Sequence, residues 1–180
     1  MRDIHFPGRS PVYGKNGMVS SSHPSASLTA IEILKKGGNA VDAAIAAAAV
    51  LAVVEAHSTG IGGDLFCLYY SASMKKTMAI NGSGKTPELL NIEKIKKLED
   101  GSIDPFSPEC ITIPGAIAAW DLLLKEHGKL SFNEVLSPAI KFAEEGYVVA
   151  DIIADMWQRE YDKLNRDEEC RKIFLKNGSA

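Results

Sequence analysis

The run Ala79-Ile80-Asn81-Gly82-Ser83-Gly84-Lys85-Thr86 nearly matches the phosphate-cradling pattern G-x-x-x-x-G-K-[ST], with alanine at the first glycine. In that pattern, loop amides and the lysine grip phosphates while the hydroxyl residue meets magnesium. Against it, Pro87 follows Thr86 directly, and no later strand ends in an acidic residue to help hold the metal. The other reading is a glycine-rich turn with an exposed lysine. His57-Ser58-Thr59 sets an imidazole beside two hydroxyls, but sequence neighbours seldom point at one another and no G-x-S-x-G elbow is present. His57 therefore reads as a hydrogen-bonded loop histidine. His5, His23 and His127 lie near chain breakers without metal-ligand spacing, and Glu144-Glu145 diverge as a solvated helix end. Cys67, Cys110 and Cys170 are widely spaced with no C-x-x-C pair, which argues against a disulfide framework or a zinc site. No metal or cofactor is expected.

The elements that would position these groups can be read from the pattern around them. Lys35 to Tyr70 reads as helix stop, helix, glycine loop and strand. Asn39 and Asp42 form a capping box, so a helix starts near Ala40. From Ala43 to Val54 there is no polar side chain, so this helix must be enclosed by protein. The uncharged run is too short for a membrane span, which needs about 20 residues. His57 to Gly63 carries three glycines, suited to left-handed angles or close backbone contact, before a strand at Leu65 to Tyr70. A turn from Ser71 to Lys76 and a second strand at Thr77 to Ile80 complete a hairpin.

Upstream, residues 1–17 read as an extended arm leading to a short strand at Met18 to Ser20, and His23-Pro24-Ser25 opens a helix that Gly37-Gly38 stops. Downstream come a charged helical piece around Ile92 to Leu98, a loop from Gly101 to Pro108, and an apolar segment, Cys110 to Ile113. A helix follows from Pro114 to Glu126. A capping box at Ser131 to Glu134 starts the next helix, in which Pro138 predicts a kink or a delayed start. Residues 150–176 read as two helical pieces joined near Asn165-Arg166-Asp167, with Asp167 as cap, and Asn177-Gly178 as a turn. The regions are thus 1–17 (arm), 18–87 (helices plus hairpin) and 88–180 (mainly helical). About four short strands against five or six helices make the sheet look incomplete, as in a piece of something longer.

A chain of 180 residues with 46% hydrophobic content fits one globular domain. A net charge of -3 with both signs scattered gives no basic footprint for nucleic acid. Met1 to Ser10 holds Arg2, Asp3 and Arg9 with no apolar h-region, so a cytoplasmic protein is the default expectation.

In this order, Gly17-Met18-Val19 with His23-Pro24, Glu32 to Ala44, and above all Glu55-Ala56-His57-Ser58-Thr59-Gly60-Ile61-Gly62-Gly63 resemble the N-terminal part of the γ-glutamyltransferase (γ-glutamyltranspeptidase) family. Pro114-Gly115, His127-Gly128-Lys129-Leu130 and Pro138 to Gly146 extend the likeness to about Val149. The resemblance implies an α/β fold of N-terminal-nucleophile hydrolase type, an αββα four-layer sandwich, present here as an incomplete, helix-rich N-terminal portion. It also implies a precursor that cleaves itself into large and small subunits, with a threonine nucleophile opening the small subunit. No residue here matches that threonine's motif, so no catalytic residue is expected in the chain, and 180 residues alone are expected to be inactive. The whole enzyme would cleave γ-glutamyl or related acyl amides and pass the acyl group to water or an amino acid. Its partners would be that substrate and the rest of the two subunits, without nucleic acid or membrane. Alternatives are a P-loop-like nucleotide-binding domain or a non-catalytic family member acting as a scaffold.

One departure from the family stands out. Its substrate segment reads like D-x-R-E-x-A-P after the hairpin, with the arginine pairing the substrate α-carboxylate. Asn81-Gly82-Ser83-Gly84-Lys85-Thr86-Pro87 fits that register, with Ser83 at the arginine and Gly84 at the glutamate. Asn81, Gly82 and Ser83 are therefore the expected substrate-binding residues, in a branch closer to the glutaryl-type acylases.

Overall fold

The computed structural model describes residues 11–93, 95, 97, 100–175, 177 and 179. Helix α1 runs over Pro24–Lys35, with His23 as cap: its Nδ1 accepts from the Ser25 amide. The helix closes as a Schellman turn, the amides of Gly37 and Gly38 donating to the carbonyls of Leu34 and Ile33 while Gly37 takes φ 97°. Helix α2, Ala40–Val54, begins two residues later on the expected capping box: Asn39 Oδ1 accepts from Val41 and Asp42, and Asp42 Oδ2 accepts from the Asn39 amide. The two Gly-linked helices pack together, with Ala26, Ala30 and Ile33 of α1 buried against α2.

The hairpin also forms as read: β1, Phe66–Ser71, pairs antiparallel with β2, Lys76–Asn81, in the register Phe66↔Asn81 through Ser71↔Lys76. Its period of two sends Cys67 and Tyr69 toward α2 and leaves Phe66, Leu68 and Tyr70 outward at 74%, 79% and 61% exposure. After it come α3, Ala116–His127, whose Trp120, Leu123 and Leu124 are buried, and α4, Phe132–Glu145, on the capping box of Ser131 and Glu134. Tyr147 then reaches back to donate to the carbonyls of Val53 and Val54, and burial pushes its phenol up. Helix α2 is thus packed by α1, α3 and α4. It is less enclosed than its composition predicts, because Ala44 is exposed and Ala48 half-buried. Between them and the hairpin lies an open apolar hollow of about 440 Å³ lined by Ala44, Ala48, Cys67, Tyr69 and Trp120.

Several expectations are corrected. No strand forms at Met18 to Ser20, because no described strand lies beside it to complete a ladder, and the described sheet has two strands. Lys94, Lys96 and Leu98 of the expected helical piece lie outside the described residues, and Ile92, Glu93, Ile95 and Lys97 are turn or irregular. Helix α3 starts at Ala116, with Gly115 as cap. Helix α4 starts without delay at Phe132 and keeps Pro138 inside, which removes a donor from its middle turn. The C-terminal part forms three pieces, α5 (Asp151–Arg159), α6 (Tyr161–Leu164) and α7 (Glu168–Phe174), because the chain also breaks at Glu160. Asp167 caps α7 as expected, accepting from Glu169 and Cys170. Asn177 has φ 55°, while Gly178 lies outside the described residues. No described helix is long and apolar enough to cross a membrane.

Candidate functional site

Three loops meet at the open end of the hairpin. Beyond the last strand pair, Gly82 donates to the Leu65 carbonyl at 2.7 Å, carrying the ladder one step further. The chain then turns at Asn81, whose Oδ1 accepts from the Ser83 amide at 2.9 Å. Asp64 Oδ1 accepts from the Gly84 amide at 2.9 Å and from Thr112 Oγ1 at 3.0 Å. The third loop closes the mesh: Ile113 donates to the Lys85 carbonyl, and Gly115 and Ala116 donate to the Gly63 carbonyl. The segment from Cys110 to Ile113 is accordingly a short 3-10 turn, Pro108–Cys110, followed by irregular chain docked along the loop.

Glycine is required here by contact and not by backbone angle. A Cβ on Gly84 would overlap the Ile113 carbonyl, one on Gly115 the Gly82 carbonyl, and one on Gly82 would lie 2.5 Å from Ala119 Cβ. By contrast Gly60, Gly62 and Gly63 have no positive φ and a Cβ on any of them would meet nothing within 4 Å, although the Gly63 carbonyl makes the close backbone contact expected of this run, to Gly115 and Ala116.

Asn81 and Ser83 are exposed and Gly82 half-buried, so the three expected residues lie together on one accessible loop. Asp64 and Thr112 were missed. Asp64 follows a glycine run in sequence, but only the fold brings it to Gly84, 20 residues on, and to Thr112, 48 residues on. Hydrogen bonds hold its carboxyl below the usual 3.8: first the Gly84 amide, then the Thr112 hydroxyl, with the Ser83 hydroxyl also contributing. Asp42 also does more than cap α2. It is fully buried, and its carboxylate accepts from the amides of Lys129 and Leu130, while Asn39 Nδ2 donates to the His127 carbonyl. One carboxylate thus ties α2 to the α3–α4 loop. A Cβ on Gly128 would come within 2.8 Å of Asp42 Oδ1.

The remaining candidates separate. His57 is not the hydrogen-bonded histidine expected: its Nδ1 is buried without a partner among the described residues, and its ring meets the edge of Trp157 at 6.5 Å. The phosphate-loop reading fails on geometry. The Ser83 and Gly84 amides that would face a phosphate are used by Asn81 and Asp64, and Pro87 opens a turn instead of a helix. The three cysteines are free thiols, and no cluster among the described residues has three or more metal-ligating side chains arranged to hold an ion.

The family model for gamma-glutamyltranspeptidase matches residues 26–180. This chain belongs to the gamma-glutamyltranspeptidase family. The glutathione hydrolase-like YwrD proenzyme of Bacillus subtilis (strain 168) is 37% identical to it over 169 residues, covering 94% of this chain and 32% of that protein. The crystal structure of a cephalosporin acylase from Bacillus halodurans is 40% identical, with TM-score 0.80 over 92% of this chain and 32% of that one. Helicobacter pylori gamma-glutamyltranspeptidase superposes with TM-score 0.84 at 29% identity, covering 94% of this chain and 49% of that one. This gamma-glutamyltranspeptidase-family chain thus spans about a third of the length of the curated relatives it matches. Nothing in these likenesses supports a nucleotide-binding domain.

Proposed function

We propose that residues 1–180 are the N-terminal part of the large subunit of a self-processing N-terminal-nucleophile amidohydrolase or acyltransferase. The whole protein cleaves γ-glutamyl or related acyl amides and passes the acyl group to water or an amino acid. The observation that carries this reading is the family match across residues 26–180. The threonine that attacks the amide carbonyl, with its own free amine as base, and the donors that stabilise the resulting oxyanion come from the rest of the precursor.

This chain contributes the hairpin and the loop Asn81-Gly82-Ser83, which lines the acyl end of the site. Ser83 takes the register of the family arginine there. The remaining subunit segments cover the hairpin's outer face and complete the four-layer sandwich. Outward Phe66, Leu68 and Tyr70, together with the hollow beside Ala44 and Ala48, support that assignment. Free thiols at Cys67, Cys110 and Cys170 support a cytoplasmic location.

Expression of the complete protein tests the proposal. It should split into two fragments whose smaller piece begins with threonine by N-terminal sequencing, and the product should release p-nitroaniline from acyl anilides. An uncleaved protein without amidase activity would refute it.

A further inference from the structure

The loop from Asn81 to Lys85 carries a fixed negative charge at its side. Asp64 is exposed, with one oxygen on the Gly84 amide and the Thr112 hydroxyl, so its carboxylate is fixed next to the residue that follows Ser83. The same hydrogen bonds lower the carboxyl's pKa, so Asp64 is ionised throughout the neutral range. It takes part in none of the ion pairs among the described residues. Beside the position where the family register calls for a cation, this chain has an anion with no ion-pair partner among the described residues.

We propose that Asp64 is a specificity-determining residue of the acyl site. Beside Ser83 and Gly84, it disfavours acyl donors that end in a carboxylate and favours those with a neutral or cationic group there. This rests on the reading above that the loop lines the acyl site. The substrate class it selects is the amide of a simple or amino-substituted short acyl chain.

Four p-nitroanilides separate the charges: γ-glutamyl carries carboxylate and ammonium, glutaryl only the carboxylate, 4-aminobutyryl only the ammonium, and butyryl neither. Because Asp64 is exposed, a like charge a few ångströms away is screened almost as in water and changes a specificity constant by about five- to tenfold. In the complete protein, kcat/KM should therefore be about five- to tenfold higher for butyryl than for glutaryl, and for 4-aminobutyryl than for γ-glutamyl. Asp64→Asn keeps a carbonyl oxygen for the Gly84 amide and should bring both ratios to within about threefold of unity. Raising salt from about 0.05 to about 0.5 M should compress the parent's ratios, a readout that does not depend on the variant folding.

Salt-insensitive ratios in the parent, ratios unchanged in Asp64→Asn, or a parent that favours the carboxylate-bearing donors would overturn the role of Asp64 while leaving the amidase reading intact. Failure to turn over any of the four would overturn the amidase reading, and this inference with it.

Discussion

Removing the Asp42 carboxylate should loosen two distant segments at once. In the folded chain it accepts from the Asn39 amide at 2.7 Å, from Lys129 at 3.0 Å and from Leu130 at 3.2 Å, with no solvent exposure. A hydrogen bond to a charged group is worth about 1.5–3 kcal/mol, and a buried amide left unpaired costs about 1–3. Three such bonds do not add in full, since the α3–α4 loop can relax and admit water. Asp42→Ala should therefore cost about 3–5 kcal/mol. Asp42→Asn keeps one acceptor oxygen and should cost about 2 kcal/mol. Hydrogen–deuterium exchange on the complete protein reads the effect locally. Peptides spanning 36–44 and 126–132 should exchange about a hundred- to several thousandfold faster in Asp42→Ala, since each 1.4 kcal/mol of opening energy is a factor of ten. A peptide from the middle of α1 should change far less. If 126–132 keeps its protection within about threefold, the carboxylate is not the tie between α2 and that loop.

Ser83→Arg in an Asp64→Asn background should raise kcat/KM for glutaryl over butyryl anilide by about ten- to a hundredfold, the value of a charge-assisted bond to a carboxylate. With Asp64 intact the gain should be smaller, because the new guanidinium would pair with it; equal gains in both backgrounds would count against this. Gly84→Ala should lower the melting temperature and Gly84→Glu should abolish folded expression, since even a Cβ overlaps the Ile113 carbonyl; soluble, active Gly84→Glu protein would contradict the packing described. Residues 1–180 expressed alone should be aggregated and inactive, because Phe66, Leu68 and Tyr70 face solvent; a monodisperse, cooperatively unfolding monomer would oppose this. The depressed Asp64 pKa contributes stability that is complete above about pH 4 and lost as pH falls through the lower folded-state value. Titrating loop stability in the complete protein should show this acid limb, and Asp64→Asn should remove it.

What could be read from the sequence was local. Asn39 with Asp42, Ser131 with Glu134, and Asp167 each meet their amide donors within three residues, so their types and spacing suffice. The hairpin likewise needed only alternation and a turn. The second task of Asp42, across 87 residues, and that of Asp64, across 48, depend on which loops the fold brings together, and no spacing encodes that. Gly84 and Gly115 were visible as glycines, but the cause, another backbone where a Cβ would sit, is tertiary. The strand expected at Met18 to Ser20 had the composition and lacked a partner. For the site, the register at Asn81-Gly82-Ser83 came from family likeness, whereas the charge beside it emerged only from the fold.

The outward face of the hairpin also bears on how such a protein is made. Helices α1 to α4 all end by Glu145, so their shared core can close once those residues have left the ribosome. Phe66, Leu68 and Tyr70 have no cover among the described residues. If the precursor is as long as the relatives it matches, about 350 residues remain to be translated, which takes roughly twenty to seventy seconds. For that interval a sticky strand face stands open on an already structured intermediate, a natural client for a chaperone that binds nascent chains. A delay in translation downstream of residue 180 would lengthen that exposure, so the yield of mature enzyme would respond to codon usage in the region that supplies the cover.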